Sequence, residues 1–401
     1  MTIGVALAFW LAVAAACYPW LVYPLLLAAR PRRRPPAAAA PTSWPFLSVI
    51  VAAYNEAACI RAKLASALEA PYPRDRIEVI VVSDASSDAT DRLVAEYGDA
   101  RVRLVRQEPR AGKSLALNRG VAHARGDILV FTDANALFAP GALARLAVPF
   151  ADEHVGLVSG HGLYAAPRKS GDTDDRDAGA VANGYVRFEA LLRSREAALG
   201  VLAGADGAIY ALRRVLYRDL GPAEVNDLAH AIDTAVAGCT ARFDPGAYTV
   251  EPPSAHAGQE FRRHVRIVAQ NARLLQDRLP GVVRAARWRL LWALLSHRVL
   301  RWLTAPALVC ALVANAVLLG SHPVYTLTLA GQLAFYSLAL VGLIAERAGL
   351  RLGRAALPYY FCVVSAAGLA GLARYLRGGA QAVWAPTGQI ARDRRIRGHA
   401  A

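Results

Sequence analysis

Hydrophobic positions fall into three blocks along this chain, and each block has its own period. Between Phe46 and Thr132, short unbroken apolar runs alternate with segments that are apolar at every third or fourth position. Unbroken runs suit strands buried on both faces, and the other segments suit amphipathic helices. The pattern predicts strands over Phe46–Ala53, Ile77–Ser83, Val102–Arg106 and Asp127–Thr132, separated by helices over Glu56–Glu69, Asp88–Tyr97 and Ser114–Ala124. Strand and helix in regular alternation imply an α/β domain with a mostly parallel sheet covered on both faces. Ligands of such sheets bind beyond the carboxyl ends of the strands.

The flanks are different. Thr2 to Ala29 carries no charge, enough to cross a hydrocarbon core of roughly 30 Å. Its basic residues come afterwards, in Arg30-Pro31-Arg32-Arg33-Arg34. A cleaved leader has the opposite order, so residues 1–30 read as a retained anchor whose C-terminal side faces the cytoplasm. Residues 31–45 form a stiff basic Pro/Ala linker to a domain over 46–280. Residues 281–302 mix arginines with Trp288, Trp292 and Trp302, the pattern of a helix in the membrane interface.

Leu303–Gly320, Val324–Ala345 and Leu357–Leu376 are each near spanning length, and residues 377–401 are a basic tail. The Arg-rich turn Glu346–Arg354 belongs inside. The tail is equally basic, so a spanning and a re-entrant Leu357–Leu376 both stay open.

Composition sharpens this picture in two places. The net charge of +15 in 401 residues is nearly all arginine, placed beside apolar segments and without a nucleic-acid motif, so anionic membrane lipid is the expected partner. The five cysteines are widely spaced, which excludes a disulfide framework and a zinc site and suits a reducing compartment. Arg and Ala content suits a GC-rich bacterial genome, and with the apolar segments and the positive-inside order the expected place is a bacterial plasma membrane, multi-pass, with the domain cytoplasmic.

The candidate chemistry lies where the strands end. Tyr54-Asn55-Glu56 follows the first strand, Asp84-Ala85-Ser86-Ser87-Asp88 the second, and Asp133-Ala134-Asn135 the fourth. No P-loop or Gly-x-Gly-x-x-Gly turn follows any strand. Acids in their place suit contacts to a base and ribose, together with a hard divalent cation on a diphosphate. Asp133 is the expected metal ligand and Asn135 its amide partner. Lys113 opens a helix and can meet phosphate or merely start that helix.

Seven motifs then occur in order: VIVAAYNE, VVSDASSDAT, GKSLALNRG, ILVFTDAN, GADGAIYA, VND and QEFRR. Over about Phe46 to Asn271 the chain resembles family 2 inverting glycosyltransferases of the GT-A fold. That group includes membrane synthases of cellulose, hyaluronan and poly-N-acetylglucosamine. The resemblance implies Mg2+ or Mn2+ as cofactor and a UDP-sugar donor of the UDP-GlcNAc or UDP-glucose type.

It also implies transfer to a growing exopolysaccharide or lipid-linked acceptor at the cytoplasmic face, with an export or assembly partner. Asp84 matches the acid that contacts the uridine, with Tyr54 and Glu56 lining the nucleotide pocket. Asp133 matches the first acid of the Asp-x-Asp metal motif, and Asn135 stands where the second acid belongs. Asp227 matches the catalytic base, and Gly204 and Asp206 lie in the acceptor-side loop.

Gln259, Arg262 and Arg263 match Gln-x-x-Arg-Trp except that Arg263 replaces the tryptophan associated with processive synthesis. Trp384-Ala385-Pro386-Thr387 is similar to a short motif in the tails of those synthases.

Plainer readings stand beside these. The residues after Asp84 also suit turn and cap chemistry, Asp227 also suits a helix N-terminus, and the arginines after Arg262 also suit a lipid-facing surface. A polyprenyl-phosphate sugar transferase and a catalytically inactive assembly partner of the same fold are the alternative functions.

Overall fold

The computed structural model describes residues 2–30, 43–164, 176–252, 257–350 and 353–379. Most of the Pro/Ala linker and the tail with its Trp384 motif lie outside the described residues. The chain forms two compact units. One holds the sheet, with described residues 43–163 and 197–252; the other holds the membrane-length helices together with 164–196 and 253–379.

In the sheet unit the strands are β1 (Leu47–Ala53), β2 (Ile77–Asp84), β3 (Val102–Gln107), β4 (Ile128–Asp133), β5 (Leu137–Phe138), β6 (Val155–Tyr164), β7 (Ile209–Arg213) and β8 (Thr240–Glu251). They lie in the order β3-β2-β1-β4-β7-β6-β8-β5. The predicted parallel arrangement holds from β3 to β4, where every residue of β1 and β2 is buried. Beyond β4 the pairs β4–β7, β6–β7 and β5–β8 are antiparallel, so the parallel order covers one half of the sheet. Strand β7 enters from the ligand edge, with Ile209 opposite Thr132. That reversal brings its preceding loop, Gly204–Ala208, to the edge where β1, β2 and β4 end.

The predicted first helix begins later than its periodicity suggests, at Ile60 rather than Glu56. The amide of Glu56 donates to Thr90 Oγ1 at 2.8 Å and that of Ala57 to Asp88 Oδ2 at 3.1 Å, which holds this stretch as a turn along the site. At the opposite edge of the sheet, Glu78 accepts from Ser48 Oγ at 2.7 Å and Arg125 Nε at 3.0 Å. That polar clasp is structural.

In the helical unit, three helices have the length and composition to cross a membrane: Ile3–Ala28, Pro323–Arg347 and Leu357–Leu376. The first passes through a π-type turn at Tyr18–Val22, where Pro19 and Pro24 withhold backbone donors. Thr304–Val317 has 14 residues, roughly 21 Å of helix, too short to span alone. It meets Trp288–Trp302 at 57°, and the bent pair reaches spanning length only together. Leu7, Leu11, Val309, Val313, Leu340 and Ile344 are exposed on these helices, an apolar surface suited to lipid.

Inside this unit His297 sits between Glu196 and Glu189 at 2.7 and 2.9 Å, and Arg301 pairs with Glu189. Burial alone would raise the Glu189 carboxyl, but Arg301 and His297 overcome it and hold it well below the usual range. The cluster is fully enclosed, and it ties the helix Arg176–Ala197 to the bent pair.

Candidate active site

The ligand edge is built by backbone turns that the strands cannot continue through. Asn55, two residues past β1, and Ala85, directly after β2, take left-handed conformations with φ of 56° and 57°. Such strain in residues other than glycine concentrates at functional edges. Asn55 Oδ1 accepts from Ser87 N at 2.8 Å, so the two turns brace each other.

Asp84 ends β2 with no exposed surface. One carboxylate oxygen accepts from Gln107 Nε2 at 2.7 Å and Ala111 N at 2.8 Å, and the other from Gly112 N at 2.9 Å. Contact between this carboxylate and a bound base therefore requires the 107–112 loop to move. In the structure Asp84 shapes that loop, which lays the Arg110 guanidinium 3.5 Å over the Tyr54 ring. Arg110 has no apolar periodicity or motif position to mark it in the sequence.

The loop continues into the helix Lys113–Ala122, which starts after Gly112 at φ 97°. The Lys113 ammonium reaches Asp133 Oδ1 at 2.5 Å, and both side chains are partly exposed. From the same helix Asn118 accepts from Tyr217 Oη at 2.6 Å and Leu220 N at 2.9 Å, and Ser114 donates to the Glu224 carbonyl at 2.6 Å. These bonds hold the segment that leads into Asp227.

Asp227 lies in the first turn of the helix Asn226–Val236. Its Oδ1 accepts from Leu228 N at 2.8 Å, and its carbonyl accepts from Ala205 N at 3.2 Å. A Cβ at Gly207 would stand 3.4 Å from Oδ2, in van der Waals contact with it. Gly204 needs its freedom for a φ of 147°. The Asp206 carboxylate accepts from Gly162 N at 3.1 Å and Ala208 N at 3.2 Å, which shapes the loop.

Glu56 accepts from the Cys59 thiol at 3.2 Å. Burial raises its pKa against that thiol, and Asp133 and Asp88 push the same way. Beneath the turn after β4 lies a residue absent from the sequence-based site, Lys63, fully buried and drawn down to about 7 by burial against the attraction of Asp133 and Glu251. The signal was available: Lys63 shares the apolar face of its helix with Ile60, Leu64 and Ala67.

The structure thus gathers Tyr54, Glu56, Asp84, Lys113, Asp133, Asn135, Gly204, Asp206 and Asp227 at one edge of the sheet unit. Gln259, Arg262 and Arg263 stand in the helical unit, on the helix Ala257–Arg284. Arg262 is exposed, and Arg263 donates to Tyr164 Oη at 2.8 Å beside Glu260.

Asp133 and Asn135 offer hard oxygen donors that fit a divalent cation. Among the described residues no group of three or more His, Cys, Asp or Glu could hold one alone. One or two protein oxygens completed by phosphate oxygens is a usual arrangement for a cation that travels with a nucleotide.

Comparison with known proteins agrees with this geometry. The family model for glycosyl transferase family 2 matches residues 48–196. A beta-monoglucosyldiacylglycerol synthase of Trichormus variabilis is 39% identical over 121 residues, 29% of this chain and 26% of its own. The succinoglycan biosynthesis protein ExoO of Rhizobium meliloti is 38% identical over 102 residues, 25% of this chain and 29% of its own. The matched stretch thus spans about a quarter of the length of these curated relatives. Among solved structures, the mannosyltransferase PcManGT from Pyrobaculum calidifontis, in complex with GDP-Man and Mn2+, is 26% identical. It covers 94% of this chain and 97% of its own at a TM-score of 0.65.

Proposed function

We propose, from the premise that this chain carries a glycosyltransferase family 2 domain on a GT-A sheet, that it is a membrane-bound inverting glycosyltransferase. The observation that supports the proposal is the single edge holding Asp133, Lys113 and Asp227, which we read as a cation ligand, a phosphate-seeking ammonium and a base. The donor is a nucleoside-diphosphate sugar and the acceptor a growing exopolysaccharide or a lipid-linked saccharide at the cytoplasmic face.

Asp227 Oδ2 takes the proton of the acceptor hydroxyl as its oxygen attacks the anomeric carbon and the bond to the diphosphate breaks. Inversion follows from one displacement with no covalent nucleophile. Asp133 and Asn135 would hold the divalent cation, which when bound neutralises charge on the leaving diphosphate. Lys113 exchanges its carboxylate partner for the same phosphates, adding a second positive group where charge develops. Tyr54 and Arg110 supply a flat, positive platform for the base.

Two donors compete. The sequence resemblance favours a UDP-sugar, whereas the near full-length likeness to a mannosyltransferase holding GDP-Man favours GDP-mannose. Nucleotide release by the detergent-solubilised full-length protein, with a panel of UDP-hexoses and GDP-mannose and with Mn2+, Mg2+ or EDTA, decides between them. Metal-dependent release from one donor supports the reading and names the donor. No release together with no binding of UDP or GDP overturns it in favour of an inactive assembly partner.

The platform makes its own prediction. Removing either member breaks the stacked pair that holds the platform in place, so Tyr54→Ala and Arg110→Ala each weaken nucleotide binding about tenfold, read by calorimetric titration. Unchanged affinity in both variants removes the platform from the site.

A further inference from the structure

The helix Ile60–Leu68 turns Ile60, Leu64, Ala67 and Leu68 to the hydrophobic core, and Lys63 shares their face with no exposed surface. Its ammonium donates to Thr132 Oγ1 at 2.7 Å and to the Ala136 carbonyl, and lies 3.6 Å from the centre of the Phe138 ring. Asp133 and Glu251 are the carboxylates that attract it. Enclosing an ammonium in this way costs desolvation that a methionine of similar reach would not. That cost is intelligible only through what the ammonium holds.

Its two acceptors bracket Asp133-Ala134-Asn135, one on either side. The turn closes through Ala136 N to the Asp133 carbonyl at 3.2 Å. Thr132 Oγ1 passes the linkage on, donating to the Ala208 carbonyl at 2.8 Å, at the end of the loop that faces Asp227. One ammonium therefore pins both ends of the cation-binding turn and, through Thr132, the loop beside the base.

We infer that Lys63 is a positioning residue for the divalent cation: it fixes the 132–136 turn so that the oxygens of Asp133 and Asn135 stand ready together. The inference rests on the functional reading above and deepens it. With no exposed surface Lys63 touches neither donor nor acceptor, so it acts only through the turn. Partners that orient metal ligands from behind are worth about ten- to hundredfold in metal affinity.

The test uses the full-length protein in detergent and two readouts that need no turnover. Free Mn2+ is followed by electron paramagnetic resonance in the presence of UDP or GDP, and nucleotide binding in EDTA by calorimetry. Lys63→Met, which keeps the packing and deletes the ammonium, is expected to weaken Mn2+ binding by about ten- to hundredfold while metal-free nucleotide binding stays unchanged. Thr132→Val, which keeps Lys63 and deletes one acceptor, is expected to shift Mn2+ binding in the same direction by less. It also carries the test if Lys63→Met does not fold.

Unchanged Mn2+ affinity in a folded variant overturns the inference. So does a parallel loss of Mn2+ and nucleotide, the mark of a merely structural lysine. Wild-type protein that binds nucleotide but no Mn2+ overturns the metal-dependent reading itself, and the inference with it.

Discussion

Asp227→Asn is expected to cut sugar transfer by about 10²–10⁴-fold while leaving nucleotide and Mn2+ binding in place. The amide keeps an oxygen for Leu228 N–H, so the first turn of the helix Asn226–Val236 stays formed. What disappears is the ability to accept a proton at the oxygen beside Gly207. A base acts only as the acceptor attacks, so kcat should fall and the donor KM should not. Single-turnover transfer from labelled donor, with donor binding measured beside it, separates the two. Transfer within a factor of about three of wild type would return Asp227 to the plainer reading of a helix-terminal acid.

Gly207→Ala provides a check that leaves the carboxylate intact. Its new methyl would sit 3.4 Å from Oδ2 and, on the proposed mechanism, crowd the acceptor hydroxyl, so it tests the geometry and Asp227→Asn tests the chemistry.

How far the sequence revealed this site depended on which physical signal each part carries. Strands β1, β2 and β4 were legible because burial on both faces favours apolar residues along most of their length, and their ends were legible because Tyr54, Asp84 and Asp133 break those runs. The antiparallel half was not legible in the same way. Strand β7 is five residues long and β5 two, and their direction is set by where the loops return rather than by side-chain pattern.

The division into units was hidden too. The helices Arg176–Ala197 and Ala257–Arg284 carry ordinary soluble periodicity, yet they cluster with the membrane-length helices through pairings such as His297 with Glu189. Local pattern records which face of a helix is apolar, not what covers it. Lys63 and Arg110 escaped for a related reason. Each acts through its place in space, beneath a turn or over a ring, and neither belongs to a motif.

Asp133→Ala should have an effect as large as loss of the base, through a different quantity. Asp133 ends β4, where register with Ala52 of β1 fixes its direction toward the ligand edge. Asn135, two residues on, carries an amide where a second acid would carry charge, so on the proposed reading Asp133 is the one charged ligand of this turn. Alanine removes it and also releases Lys113 from its partner. The freed ammonium can still meet the diphosphate, so metal-free nucleotide binding should hold or strengthen slightly.

Transfer, however, should fall roughly 10³-fold, about 4 kcal/mol of transition-state stabilisation. The residual rate should no longer respond to EDTA. Asp133→Asn keeps the shape and removes the charge, so it should lie between, with the Mn2+ concentration at half-maximal rate displaced upward. A metal titration of turnover across wild type and the two variants reads this series directly. An Asp133→Ala protein that retains wild-type Mn2+ dependence would place the cation elsewhere, and Lys113 would then be the residue to follow.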